Sequence, residues 1–261
     1  LQKELPGEVF TTRTLATYSY ELNNKKAPFD NVNVRKALNL SLDRNVITDK
    51  VLGQGQTPTY VFTPTYIEEG HLIQQPAYSK EPMAQRNEEA IKLLEEAGYS
   101  KANPLKFSIL YNTNENHKKV AIAAASMWKA NTKGLIDVKL ENQEWKTYID
   151  SRRAGRYDAA RAGWNADYNQ ATTFGNYFLS NSSNNTAKYA NPEYDKAIAE
   201  SYVATDAEGR AKAYAKSEEI LAKDFAMTHW IPSALMISGA CSLDEPQPKF
   251  LPATIMSPFW I

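Results

Sequence analysis

Alternating and helical hydrophobic patterns follow one another through the middle of the chain. Residues 104–111, PLKFSILY, alternate apolar and polar side chains with a single break, which predicts a strand. The alanine-rich stretch 114–131 is typical of a helix, and residues 135–143 alternate again. A helix over residues 144–155 and a strand over residues 157–164 come next. This βαβαβ order predicts an α/β fold in which helices flank a mostly parallel or mixed sheet.

Further elements are predicted before this series. Residues 15–22, LATYSYEL, indicate an early strand with aromatic content. Residues 30–52 carry apolar side chains at helical spacing in two parts, and Asp43 can cap the second part. Residues 53–85 contain four prolines and scattered aromatics, which predicts a long ordered excursion over the surface and not a regular element.

Three more helices are predicted in the rest of the chain. Residues 86–100 have an apolar and a charged face, with Gly98 where a left-handed terminus is expected. Asn191 is placed to cap a helix whose first residue is Pro192. Thr205, with a glutamate three residues later, has the spacing of a capping box. The last 36 residues show no convincing periodicity and no element is predicted there.

Composition excludes several classes of function. Thirty basic and thirty acidic residues balance, so no overall field favours nucleic acid or an anionic membrane. Cys241 is the only cysteine, which rules out an intrachain disulfide, and the three histidines lack metal-site spacing. Gly53 and Gly55 do not form a phosphate loop, so nucleotide binding is not expected. Residues 1–10 lack the features of a signal peptide, so we expect a cytosolic chain or a processed or internal piece.

The run RAGWNADYN, residues 161–169, offers partners for both a positive and a negative group. It follows a predicted strand, where ligands of α/β proteins tend to bind. Gly163 would allow close approach of a ligand backbone, and Trp164 would supply a flat apolar wall. Asp167 could pair with a cation and Arg161 with an anion. The alternative is that Asp167 only turns the chain and Arg161 is a solvated charge at the strand end.

Other candidates near this sheet edge have equally ordinary alternatives. His117 begins a predicted helix and could lie near the same edge, or it could be a surface histidine. Trp145, Ile149 and Arg152 share one face of a predicted helix. Trp145 is then either a core residue or the wall of a cleft in which Arg152 meets a carboxylate. No nucleophile with its base and no metal-ligand cluster is evident, so nothing in the sequence requires an enzyme.

Several segments, in order over about residues 8–225, resemble the bacterial periplasmic oligopeptide-binding proteins, with the closest likeness to their murein-peptide-binding relatives. The segments are RAGWNADYN, NVRKALNLSLDRN, LLEEAGY, LYNTNENHKK, NQEWKTYIDSRRAGRYD and SNSSNNTAKYANPEYD. The resemblance implies a periplasmic, monomeric receptor that hands peptides to a membrane ABC importer, without catalysis, cofactor, metal or nucleic acid. It also implies an extended peptide held between two lobes by backbone hydrogen bonds and by charges at its ends.

The resemblance further implies roles for individual residues. Asp167 matches the carboxylate that pairs with the peptide's α-amino group. The cations for peptide carboxylates are Arg161, Arg152 and His117. Gly163 and Asn165 match positions that contact the peptide backbone. The positions that line the cleft in the family are matched by Trp145, Trp164, Asn112, Asn184 and Glu21.

Departures from the family pattern affect the expected peptide preference. Leu52 stands where a lysine can occur, and Asn165 stands where some relatives have cysteine. Thr14 and Ser19 stand where relatives have tyrosines. Recognition of the peptide's carboxylate end is therefore expected to be shifted or loosened.

The resemblance also implies a division of the chain. Residues 1–15 are expected to come from an opposing lobe that is missing here, residues 16–225 to form the peptide-binding lobe, and residues 226–261 to be a divergent tail that normally returns to the first lobe. Such a lobe alone is expected to bind peptides feebly. The alternatives are a hydrolase, a peptidase or glycosidase using cleft carboxylates, and a protein-interaction module built around Trp145 and Trp164.

Overall fold

A five-stranded mixed sheet forms the centre of the chain. The computed structural model describes the backbone of residues 9–238 and the side chains of residues 14–228. The strands are β1 (Val9–Leu22), β2 (Leu105–Asn112), β3 (Ile136–Gln143), β4 (Ala159–Asn165) and β5 (Met227–Ser238), in the order β3-β2-β4-β1-β5. Strand β2 is parallel to β3 and β4, whereas β1 is antiparallel to β4 and β5. The predicted α/β fold with a mixed, helix-flanked sheet is confirmed.

Seven α-helices lie among the residues whose placement is described. They are α1 (Val32–Leu40), α2 (Met83–Glu96), α3 (Glu115–Asn131), α4 (Trp145–Arg153), α5 (Thr172–Gly175), α6 (Pro192–Val203) and α7 (Ala207–Asp224). A π-helical turn (Val46–Leu52) follows α1, and 3-10 turns lie at Ala77–Lys80 and Asn176–Phe178. The crossovers through α3 and α4 join parallel strands, as the βαβαβ order requires.

Helix termini follow the predicted capping chemistry with one exception. The Asn191 side chain accepts the N–H of Glu193 at the start of α6, and Gly98 after α2 has φ +90°, so both predictions are confirmed. Thr205 is wrong as the cap of α7. Asp206 occupies that position and accepts the N–H of Gly209. An aspartate is favoured there over a threonine because its negative charge also interacts with the positive end of the helix.

Two boundaries differ from the sequence predictions, and one strand was not predicted. Strand β1 begins at Val9, well before residue 15, and α2 begins at Met83, inside the stretch that was expected to be irregular. The rest of that stretch has one 3-10 turn and otherwise irregular structure, as expected. Strand β5 pairs with β1 over residues 227–238 although its sequence, which includes Pro232, does not alternate.

The two faces of the sheet are covered by separate hydrophobic cores. On one side Tyr18 and Tyr20 of β1 pack among α1, α2 and α3, and the buried indole of Trp128 donates to the carbonyl of Leu38 at 2.8 Å. On the other side an aromatic cluster around Phe62 and Phe178 lies between the irregular stretch and helices α6 and α7. The first core fixes the sheet, and the second holds the loops at its edge.

Glu218 of α7 anchors the irregular stretch 53–82 to the second core. Its buried carboxylate accepts the backbone N–H of Phe62 at 3.0 Å and of Thr63 at 2.7 Å. Burial raises the pKa of Glu218, although the two hydrogen-bonded residues act in the opposite direction. The side chain thus supplies acceptors to a segment that has no strand partner of its own.

Glu218→Ala is expected to lower the free energy of unfolding by about 2–4 kcal/mol, because two buried N–H groups lose their acceptors. The matched control is Glu219→Ala, which removes an exposed neighbour and is expected to change stability by less than about 1 kcal/mol. Urea denaturation of both variants measures the difference. Equal losses of stability in the two variants would show that the hydrogen bonds of Glu218 do not stabilise the fold.

Candidate functional site

The run after β4 brings Trp164 and Asp167 together through Thr173. The Thr173 hydroxyl accepts the indole N–H of Trp164 and the backbone N–H of Asp167, both at 3.2 Å. It donates in turn to the Asp167 carboxylate at 3.1 Å. Asp167 and Asn165 are exposed. The acid is therefore held in a fixed place while its carboxylate stays open to solvent. Thr173 was not predicted, because a threonine eight residues beyond the strand has no distinctive pattern.

A small pocket of about 140 Å³ opens beside Trp164. Four predicted residues are among those that line it, namely Arg152, Gly163, Trp164 and Asn184. The ring of Tyr177 packs edge-on against Trp164 with centroids 5.1 Å apart. Tyr177 and Thr186 also line the pocket, and neither was predicted. The structure thus joins β4, α4 and the polar loop near residue 184 around one small space.

Glu21 and Arg152 form a buried ion pair at the base of this pocket. Arg152 Nε and Nη2 lie 3.1 Å and 2.9 Å from Glu21 Oε2, and the Glu21 side chain has 0% exposure. Tyr177 donates to Oε1 at 2.5 Å and Thr186 to Oε2 at 2.6 Å. Burial alone would lower the pKa of Arg152, but the charge and hydrogen bond of Glu21, together with Tyr148 and Tyr177, outweigh it, and the pKa stands well above the usual value. Glu21 therefore lies beneath the pocket wall, and the charge of Arg152 is already balanced within the lobe.

Arg152→Met is expected to lower the free energy of unfolding by about 3–5 kcal/mol, because it leaves the Glu21 carboxylate buried without a counter-charge. The double variant Glu21→Gln/Arg152→Met should lose less than the sum of the single variants. Denaturant unfolding of all four proteins gives the coupling energy, which we expect to exceed about 1 kcal/mol.

The exposed pair Lys223 and Glu219, 2.7 Å apart, is the control for this cycle. Its coupling energy should be no more than about 0.5 kcal/mol, because solvent screens both charges. Similar values for the two pairs would contradict the role assigned to burial.

His117 and Arg161 lie inside the lobe, against Tyr18. His117 is fully enclosed, with Nδ1 3.3 Å from the Tyr18 hydroxyl, and the Arg161 guanidinium lies 5.2 Å from the centre of the Tyr18 ring. Burial, with Arg161 adding to it, lowers the pKa of His117 to about 2. The surface-histidine alternative is wrong, and the neutral ring offers no cation to a ligand. Arg161 is 3% exposed, so it is not a solvated charge either.

The acid sensitivity of the fold is expected to depend on His117. Its folded pKa lies below the unfolded value, so between about pH 6.5 and pH 2 the unfolded chain binds a proton that the folded chain does not. Stability is therefore lost as the pH falls. Between pH 7 and pH 5 this costs about 2 kcal/mol. His117→Gln lacks this loss, so the difference in the free energy of unfolding between the wild type and the variant should fall by about 2 kcal/mol from pH 7 to pH 5.

His71, whose side chain is 59% exposed, is the matched control. His71→Gln should follow the wild type at each pH in urea denaturation. If His117→Gln also kept the wild-type pH dependence, the histidine would not be the group that titrates.

The remaining predicted residues take different positions. Trp145 is 43% exposed and stacks on Tyr148, so the core alternative is wrong. Tyr148 donates to the backbone carbonyl of Arg161, which links α4 to β4. Asn184 is exposed. Asn112 is buried at the end of β2, and its Oδ1 has no hydrogen-bond partner in the described part of the chain.

Neither a cluster of metal ligands nor a membrane-spanning helix is present in the part of the chain that the structure describes. No group of three or more histidine, cysteine, aspartate or glutamate side chains is arranged to hold a metal ion among those residues. None of the described helices combines the length and the apolar character needed to cross a membrane.

Comparison with known proteins assigns the family. Residues 1–186 match "Bacterial extracellular solute-binding proteins, family 5 Middle". The chain belongs to this family. The resemblance to the bacterial periplasmic oligopeptide-binding proteins is confirmed, and the family 5 proteins are solute-binding receptors.

Individual family 5 proteins are similar over most of this chain. The periplasmic oligopeptide-binding protein OppA of Haemophilus influenzae is 95% identical over 227 residues, which cover 87% of this chain and 42% of that protein. The periplasmic murein peptide-binding protein MppA of Escherichia coli is 43% identical over 221 residues, covering 85% and 41%. The likeness to OppA therefore exceeds that to MppA, so the expectation that the murein-peptide-binding relatives are the more similar is wrong. The chain spans less than half the length of these relatives.

Solved family 5 structures share the fold. Haemophilus influenzae OppA in complex with RPPGFSPFR matches with a TM-score of 0.89 and 89% identity, covering 91% of this chain and 47% of that one. The unliganded open form of MppA matches with a TM-score of 0.84 and 40% identity, covering 90% and 45%.

Proposed function

We propose that this chain is one lobe of a periplasmic receptor that binds oligopeptides or murein peptides and delivers them to a membrane ABC importer. The names of the relatives, periplasmic oligopeptide-binding and murein peptide-binding proteins, support this proposal. The observation that carries it is the exposed carboxylate of Asp167, fixed by Thr173 beside Trp164. Such an acid suits the α-amino group of a peptide, since an ammonium group and a carboxylate form a strong charge-assisted hydrogen bond.

The surroundings of Asp167 fit an extended peptide. Gly163 lies on the pocket wall, where the absence of a side chain allows the peptide backbone to approach. Arg152 and Asn184 line the same small pocket and offer polar contacts to a ligand side chain or carboxylate. Glu21 contributes indirectly, because it fixes the orientation of the Arg152 guanidinium. Capture is proposed to need no cofactor, no metal and no chemical step.

A hydrolase is disfavoured by the state of the buried acid. Glu21 accepts from Arg152, Tyr177 and Thr186, and its side chain is closed to solvent. A general acid or base needs access to the substrate proton, which this carboxylate lacks. We infer that the lobe binds without cleaving.

The ends of β1 and β5 support the proposed division of the receptor. Val9 pairs with Ser238, so the two strands run out of the lobe side by side. Residues 16–225 are proposed as the lobe, and residues 1–15 and 226–261 as the segments that connect it to an opposing lobe. Closure of the two lobes would bury the peptide. The receptor is proposed to act as a monomer without nucleic acid, in keeping with its net charge of zero.

Calorimetry with a tripeptide tests this proposal on the 261-residue chain. We expect a Kd weaker than about 1 μM, because the contacts of the opposing lobe are absent. N-acetylation of the peptide should weaken binding about tenfold, and Asp167→Asn should do the same for the free peptide but not for the acetylated one.

Asp137→Asn is the control, since Asp137 is also an exposed acid but lies on β3. It should bind both peptides like the wild type. Micromolar or tighter affinity would contradict the need for a second lobe. Equal binding of free and acetylated peptide would contradict the role of Asp167, and cleaved peptide in mass spectrometry would favour a hydrolase.

A further inference from the structure

A second and much larger cleft shares no lining residue with the pocket beside Trp164. It has a volume of about 1090 Å³ and lies between α7, the beginning of α1 and the segment 72–81. This volume is slightly above the range of about 300–1,000 Å³ that is usual for small-molecule sites. Neither the proposed peptide site nor the resemblance assigns a role to it.

The apolar part of the cleft is aromatic. Tyr78 and Phe225 line it with ring centroids 5.6 Å apart, and Leu72 and the exposed Val32 also belong to the lining. Two aromatic rings at this distance can receive an apolar body, and their faces also attract cations.

The lysines of the cleft lining are all matched by glutamates. The pairs are Lys36 with Glu89 at 2.5 Å, Lys223 with Glu219 at 2.7 Å, Lys216 with Glu200 at 3.4 Å and Lys212 with Glu208 at 3.8 Å. Their charges therefore cancel locally. An anionic ligand would have to compete with a carboxylate for each of them.

Glu81 is the one lining charge left without a counter-charge within the described residues. It takes part in no ion pair there, and its Oε2 is buried without a hydrogen-bond partner. Arg86, five residues further on, does not fill this role, because its Nη atoms donate to the Tyr60 hydroxyl and to the carbonyl of Leu42. A carboxylate in this position favours a positively charged group.

We propose that this cleft binds an amphipathic organic cation, with an ammonium or guanidinium head at Glu81 and an apolar body over Tyr78 and Phe225. The unmatched acid determines the sign of the ligand charge, and the paired rings determine its apolar part. The site is independent of the peptide site at Asp167, so either can exist without the other.

Three probes of similar length, studied with the whole chain at pH 7, test which sign of ligand charge the cleft prefers: 4-phenylbutylammonium, 4-phenylbutyrate and 4-phenylbutanol. In NMR titrations the ammonium should shift the resonances of Tyr78 and Phe225 saturably. The alcohol and the carboxylate should bind at least about fivefold more weakly, because they lack the attraction to Glu81. Equal binding of the three probes, or shifts confined to Trp164 and Asp167, would overturn the proposal.

Two variants test the two parts of the site. Glu81→Gln should weaken the binding of the ammonium probe on the order of tenfold and leave the binding of the alcohol unchanged. Tyr78→Leu should weaken the binding of all three probes. The control is Glu95→Gln, an exposed acid on α2, the helix that follows Glu81, which should change nothing.

Thermal unfolding of each variant verifies that it is folded. A Glu81→Gln protein that is folded and binds the ammonium probe as tightly as the wild type would contradict the proposal. So would unchanged binding in Tyr78→Leu. If Glu81→Gln does not fold, Tyr78→Leu and the comparison of the three probes still decide the question.

Discussion

A carboxylate closed to solvent must be neutralised where it lies, and Glu21 imposes this requirement on the centre of the lobe. The side chain extends from β1, the strand that pairs with both β4 and β5. Its partners come from α4, from the 3-10 turn that contains Tyr177 and from the loop that contains Thr186. Four separate segments are thereby fixed relative to one another around one charge. The pocket beside Trp164 takes its shape from this arrangement.

Buried polar groups hold the irregular segments in a similar way. Glu218 supplies acceptors to a loop that no strand accompanies, and Thr173 orients both Trp164 and Asp167. In each case a side chain from a helix satisfies groups that would otherwise be unpaired. Asp167 differs from the others because it stays exposed after its orientation is fixed. An acid that is positioned but solvated can exchange water for a ligand at low cost.

The fold was predictable from local patterns, but the state of the site residues was not. Alternation identified β2 and β3, and the asparagine before Pro192 identified the start of α6, because such signals depend on neighbouring residues only. Strand β5 was missed because its pairing with β1 comes from residues about 200 positions away. The burial of His117 and the pairing of Glu21 likewise depend on tertiary packing, which a single sequence does not reveal.

The residue types near the pocket were identified correctly even where their surroundings were not. Arg152 was expected to be available to a ligand, and its partner was not foreseen because the two residues are 131 positions apart. The sequence placed Trp145 on a helix face, but it did not show that this side chain is exposed. Periodicity gives the direction of a side chain relative to its own helix, whereas exposure depends on what packs beside the helix.

The long pairing of β1 with β5 has a mechanical consequence. Both strands run past the end of β4, which pairs with β1 only from Ala16 onward, so Val9 and Ser238 end a two-stranded ribbon. A load that separates these two ends acts on the outermost hydrogen bonds first and peels them open one after another. A load that pulls one strand along its axis past the other is shared by the whole ladder. The ribbon is therefore compliant to splaying and stiff to sliding, so an axial pull on one strand is transmitted to the sheet, whereas a splaying load is absorbed at the ends of the ribbon.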